Sequence, residues 1–159
     1  MRRSEVSFIS GGLRCAAWLY RPSGVQQDLP CVVMSHGFSL TRHDGLTAYA
    51  ETLVNAGAVV LVYDHRHIGD SGGSPRQFIS TLRQLQDRRA AIAFARDLDA
   101  VHPEKIVVWG YSLSGGSAVA AAASDERIAG AILMFPFLDG RARLATILRS
   151  YPSRLPWLL

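Results

Sequence analysis

Short, nearly continuous apolar runs alternate along the chain with longer stretches in which apolar residues recur at helical spacing. Runs of four to eight apolar residues bounded by Gly and Pro mark strands buried on both faces, and the intervening helices are what bury them. Four such runs stand out: residues 31–34 (CVVM), 58–63 (AVVLVY), 106–109 (IVVW) and 128–135, which opens at Ile128 and ends at Phe135. Before them, residues 6–9 and 13–20 alternate around Gly11-Gly12, the pattern of an antiparallel hairpin. Pro22, Ser23, Gly24 and Pro30 frame the loop that follows. A helix is predicted over 44–56, where Leu46, Tyr49, Leu53 and Val54 share a face and Gly57 supplies the stop. A longer one is predicted over 82–99, with Ala91, Phe94, Ala95 and Leu98 at helical spacing and Pro103 closing the segment. An alanine-rich helix is expected over 115–124 and a short one over 140–150. The fold class is therefore α/β: a mostly parallel sheet of about six strands, an N-terminal antiparallel hairpin, and helices on both faces.

Composition narrows the picture little. A chain of 159 residues, 48% hydrophobic and 19% charged, is expected to form one domain with a real core. The net charge of +4 comes almost wholly from arginine, since Lys105 is the sole lysine. Those arginines, among them Arg42, Arg66, Arg83, Arg88 and Arg89, are scattered, which reads as a weakly basic solvated surface and not as a nucleic-acid stripe. Cys15 and Cys31 read as small buried hydrophobes, or at most one bridge. No apolar segment follows Arg2 and Arg3 at the N-terminus, and the longest apolar stretch, 128–138, is short and interrupted by Pro136. No membrane association and a cytoplasmic location are expected.

Chemistry concentrates in three places. The first is Gly110-Tyr111-Ser112-Leu113-Ser114-Gly115-Gly116, between the IVVW strand and the alanine-rich helix. A strand-to-helix turn this tight strains its central residue and projects the Ser112 hydroxyl at the C-terminal edge of the sheet. Small residues two positions either side are then required; Gly110 meets that need fully and Ser114 less well. A serine merely capping the helix is the bland alternative. The second is Ser35-His36-Gly37-Phe38, at the same rim after the CVVM strand. Gly37 permits close backbone approach, so the N–H groups of Phe38 and Leu113 are placed to converge on one developing oxyanion. His36 itself reads as a structural residue bonding the loop. The third is residues 63–73, YDHRHIGDSGG, where His65 and His67 with nearby carboxylates invite a metal reading. No third or fourth ligand is spaced to join them, and a rigid loop fixed by Asp64 and Arg66 hydrogen bonds is the expectation. No metal and no cofactor are called for, because acyl transfer by serine needs neither.

Together HGF after one strand, DHRHIGDSGG after the next and GYSLSGG at the elbow resemble the α/β-hydrolase superfamily. The likeness is to the branch holding dienelactone hydrolases, X-Pro dipeptidyl-peptidase-like and serine aminopeptidase-like esterases and polyketide transferases. Residues 75–96 and the MFPFLDG after the last strand resemble that branch too, so the likeness runs from the hairpin to about Gly140. The resemblance implies Ser112 as nucleophile, Phe38 and Leu113 as oxyanion donors, and a small-molecule acyl substrate. Ser114 stands where the motif's second glycine is usual.

In that family the order is nucleophile, acid, histidine. Here no histidine follows His102, and Asp139 is the lone acidic residue after Arg127. The expectation is a hydrolase core, residues 1–159, incomplete at its C-terminal side and inactive or weak, because a serine without a base is a poor nucleophile. One of His36, His43, His65 or His67 within reach of Ser112, or a second chain supplying acid and histidine, would repair that. Otherwise the alternative is a non-catalytic binding module that keeps the pocket. Either way, the strand at 128–135 is expected to be an unprotected edge through which copies of the chain pair, unless Tyr151, Trp157 and the apolar tail around them fold back over it.

Overall fold

The structure, a computed structural model, describes residues 1–24 and 27–150. Six strands run β1 (Arg2–Ser10), β2 (Leu13–Arg21), β3 (Leu29–Ser35), β4 (Val59–Tyr63), β5 (Val101–Tyr111) and β6 (Ile128–Met134). Four helices intervene: α1 (Leu46–Asn55), α2 (Thr81–Arg96), α3 (Leu113–Ser124) and α4 (Gly140–Ser150). The strands form one sheet in the order β1-β2-β4-β3-β5-β6. β1 and β2 form the expected hairpin and β2 is antiparallel to β4; β4, β3, β5 and β6 are mutually parallel.

Side chains alternate across a strand, so an unbroken apolar run makes both faces of its sheet apolar. Cys31, Val33, Val59, Leu61, Ile106 and Val108 point to one face, where α2 and α3 cover them through Ala91, Ile92, Ala95, Ala118 and Ala121. Val32, Met34, Val60, Val62 and Trp109 point to the other, under Leu46, Ala50 and Val54 of α1. A fully buried side chain such as Leu61 contributes about 2 kcal/mol. The helices over the first face meet it through alanines, which lets them sit close.

Three local features differ from expectation. β5 starts at Val101 and runs through Pro103, which was expected to close the preceding segment. The pairing with β3 slips between Leu29/Val101 and Cys31/Ile106, and that bulge is where a residue without an N–H is tolerated. α3 begins two residues early, at Leu113, directly after the elbow. Arg42, Arg66 and Arg88 are buried at 3%, 7% and 0% exposure, so they are not part of a solvated basic surface.

Cys15 and Cys31 are buried free thiols, each pushed up to about 12 by burial, and form no bridge. β6 lies at the edge of the sheet among the described residues, with Ile132 and Leu133 exposed. The tail expected to cover it, residues 151–159, lies outside the described residues. No described helix is long and apolar enough to cross a membrane.

Candidate active site

At the end of β5 the chain turns into α3 within one residue. Ser112 has φ 54° and ψ −117°, a left-handed conformation that a side chain strains. The turn is tight enough that a Cβ on Gly110 would fall 2.5 Å from the Ser114 carbonyl oxygen and 2.7 Å from the Gly115 backbone. Those are backbone atoms of the helix and cannot step aside, so the position requires glycine. Ser112 N–H donates to the Met134 carbonyl (2.9 Å), and the Ser112 carbonyl accepts from Phe137 N–H (2.8 Å) and Gly115 N–H (3.0 Å). The strained residue is thus locked on both sides by main-chain bonds. Its hydroxyl is left over: Ser112 sits at the N-cap of α3 yet its side chain makes no capping bond.

The loop after β3 closes the other side. Ser35 is paired with Gly110 in the sheet, so His36, Gly37 and Phe38 leave the rim beside the elbow. A Cβ on Gly37 would lie 3.3 Å from the Ser112 Cβ and 3.1 Å from the Tyr111 ring, which is how close the two segments pass. Ser114 joins them: its hydroxyl accepts from Tyr111 N–H (2.9 Å) and donates to the Ser35 carbonyl (2.8 Å). A serine at that position is therefore a clamp between β3 and the elbow, which the glycine usual there would not provide. Leu113 is the first residue of α3, so its N–H has no intrahelical acceptor and faces outward with the positive end of the helix dipole.

Asp64 and Arg66 belong to a separate buried network. Asp64 accepts from Arg42 N–H (2.7 Å), Arg42 Nη1 (3.0 Å) and Asp70 N–H (3.1 Å). Arg66 pairs with Asp87 on α2 through Nε (2.5 Å) and its backbone N–H (3.1 Å). His36 lies between this network and the elbow: Nδ1–H donates to the Gly37 carbonyl (3.0 Å) and Nε2 is 3.7 Å from Asp64. Burial holds the imidazole below its ordinary pKa, hence neutral. His65, stacked edge-on at 5.4 Å from His36, is lowered to about 4 by burial.

None of the five histidines makes a hydrogen bond to Ser112 among the described residues. His43 pairs with Asp70, His67 with the Pro75 carbonyl, His65 lies 3.4 Å from Asp87, and His102 sits beside Asp28 at the opposite rim. The structure thus brings together Ser112, Leu113, Gly110, Ser114 and Gly37, with Phe38 the next residue along the loop, and leaves Asp64 and Arg66 apart from them.

Two pockets border the elbow. One, about 260 Å³, is lined by His36, Gly37, Leu40, Tyr49, Trp109 and Tyr111; the other, about 390 Å³, by Leu82, Leu85, Leu113, Phe137 and Leu138. The larger cavity of about 580 Å³, between Arg96 and Arg127 at the far end of α3, contains no elbow residue.

Sequence reasoning missed Arg88. It is fully buried beneath the elbow, and its contacts are carbonyls and hydroxyls with no carboxylate among them. Burial lowers its pKa, yet a guanidinium stays charged at neutral pH. The signal was present: Gln84, Arg88, Ala91 and Ala95 recur at helical spacing, so Arg88 lies on the covered face of α2.

A sheet ordered 1-2-4-3-5-6 with a strained serine where its fifth strand meets a helix defines an α/β hydrolase. Within that class the chain belongs to the serine aminopeptidase S33 family, whose description matches residues 26–159. It is 46% identical over 136 residues to the quorum-quenching protein AidA of Acinetobacter baumannii, a match covering 86% of this chain and 44% of that one. To the thiohydrolase aneE of Aspergillus aculeatus it is 34% identical, covering 88% and 43%. Among solved structures, the α/β hydrolase GrgF from a Penicillium species superposes with a TM-score of 0.82 at 31% identity, covering 98% of this chain and 54% of that one. The chain spans about half the length of the curated relatives it matches, which include proteins named as a thiohydrolase and a polyketide transferase.

Proposed function

We propose that Ser112 is the nucleophile of an acyl-transfer reaction, with the Phe38 and Leu113 N–H groups as the oxyanion hole. The observation that carries this is the left-handed backbone of Ser112, held by three main-chain bonds while its hydroxyl caps nothing. Ser112 Oγ adds to the acyl carbonyl carbon, and the carbonyl oxygen takes up the negative charge between the two N–H groups. Collapse expels the leaving alcohol, thiol or amine, which carries away the proton that Ser112 Oγ gave up on attack, and leaves an acyl-serine, which water or another acceptor then releases. One oxyanion donor is worth roughly 10²–10³ in rate. Ester, thioester or amide hydrolysis and acyl transfer all fit this site. The pocket beside Leu113 has apolar walls at Leu82, Leu85, Phe137 and Leu138 that suit an acyl chain, with Thr81, Gln84 and Ser117 also in its lining. With no histidine at Ser112 and none between it and Leu159, residues 1–159 alone react slowly. A fluorophosphonate probe tests the reading: slow labelling confined to Ser112 and lost in Ser112→Ala supports it, and a folded chain that never labels overturns it.

A second reading rests on β6, which among the described residues is an edge strand exposing Ile132 and Leu133. In it the chain is a non-catalytic binding module whose copies pair edge to edge. Sedimentation of a clean monomer at all concentrations would exclude that pairing.

A further inference from the structure

Arg88 is an expensive residue to bury. A cation removed from water without a carboxylate costs several kcal/mol unless its donors are well used, and an apolar side chain of the same volume would serve the core as well. What an apolar residue could not do is what this guanidinium does. Nε donates to Ser117 Oγ (2.9 Å) and Nη1 to the carbonyls of Trp109 (3.1 Å) and Val33 (3.5 Å). Nη2 donates at once to Ser35 Oγ (2.5 Å) and to the Ser114 carbonyl (3.1 Å). One rigid plane therefore fastens β3, the end of β5 and the first turn of α3 to α2.

The two groups sharing Nη2 are the informative ones. Ser35 lies immediately before the His36-Gly37-Phe38 loop, and Ser114 immediately after Leu113. The paired N–H donors come from two chain segments 75 residues apart, held together by no covalent link. Their separation must be fixed to about half an ångström to serve one oxygen. We infer that Arg88 is a positioning residue that sets the spacing of the Phe38 and Leu113 N–H groups by cross-linking Ser35 to Ser114. This rests on the reading of Ser112 as nucleophile. A lysine, with a compact ammonium, reaches one or two of these acceptors but cannot hold both segments in a plane.

The test compares Arg88→Lys, Arg88→Met and Ser35→Ala with the parent chain. Arg89→Ala, an exposed neighbour bonded to Ser124, serves as control. Deuterium uptake is followed in residues 35–38 and 111–114 against the β1–β2 hairpin, and fluorophosphonate labelling is resolved into maximal rate and half-saturating concentration. Arg88→Lys is expected to raise uptake in those two segments about tenfold with the hairpin unchanged. It should also cut the maximal labelling rate roughly 10–100-fold at an unchanged half-saturating concentration. Ser35→Ala, which deletes a single hydroxyl, is expected to raise uptake in 35–38 alone, and it decides the matter if Arg88→Met fails to fold. Unchanged uptake in both segments, or an even rise across the whole sheet, overturns the positioning role. Absence of labelling in the parent chain refutes the nucleophile instead, and uptake still decides what Arg88 does.

Discussion

Replacing Ser112 by glycine should stabilise the protein while abolishing any acylation. The serine is held at φ 54°, ψ −117°, whose mirror image, −54° and 117°, lies in the extended region that L-residues favour. Glycine, with no Cβ, occupies both hands equally, so it is relaxed where serine is strained. Strain of this kind costs about 1–3 kcal/mol, and glycine gives back about 0.5–1 kcal/mol through its freer unfolded chain. The hydroxyl makes no capping bond, so deleting it forfeits little. The net gain is about 1 kcal/mol. Ser112→Ala removes the same hydroxyl but keeps the Cβ and the strain, so it should match the parent. Urea unfolding separates them: at a slope of roughly 2 kcal/mol per molar, Ser112→Gly should unfold about half a molar later than Ser112→Ala, with equal slopes. If the glycine variant is no more stable than the alanine variant, the residue is not strained, and the case for it as a poised nucleophile loses its foundation.

Gly37→Ala should leave the fold intact but push the loop off the elbow, since its Cβ would meet the Tyr111 ring at 3.1 Å and Ser112 at 3.3 Å; labelling of Ser112 should fall by roughly tenfold or more. Asp87→Asn leaves Arg66 buried without its carboxylate and should cost about 3 kcal/mol in urea unfolding. His36 and His65 are both depressed by burial, so the folded state favours their neutral forms. The contribution of each is complete above the ordinary value of about 6.5 and is lost as pH falls through its lowered folded-state value, about 4 for His65, so the unfolding midpoint should drop between pH 7 and pH 4.5, less steeply in His65→Asn.

The sheet was legible because its strands are unbroken apolar runs, and the elbow because Gly110 and the small residues after Ser112 leave few other ways to pass from strand to helix. The hairpin showed in the alternation around Gly11-Gly12. Other features were hidden for physical reasons. Arg88 carries a charge on a helix, which by itself reads as solvent-facing; only its register with Ala91 and Ala95, and acceptors 53 and 21 residues back and forward in the chain at Ser35 and Trp109, make it a buried tie. Ser114 looked like an imperfect glycine because its clamp partner, the Ser35 carbonyl, is 79 residues away. β5 crosses Pro103 by a bulge that depends on how β3 pairs with it, which no local pattern announces.

A crystal structure of the chain after reaction with a phosphonate probe would bear most directly on the site. The expected result is a bond from phosphorus to Ser112 Oγ, with the phosphoryl oxygen about 2.7–3.1 Å from both the Phe38 and Leu113 N–H groups. An adduct on another residue, or one on Ser112 whose oxygen turns to solvent away from those two N–H groups, would contradict it.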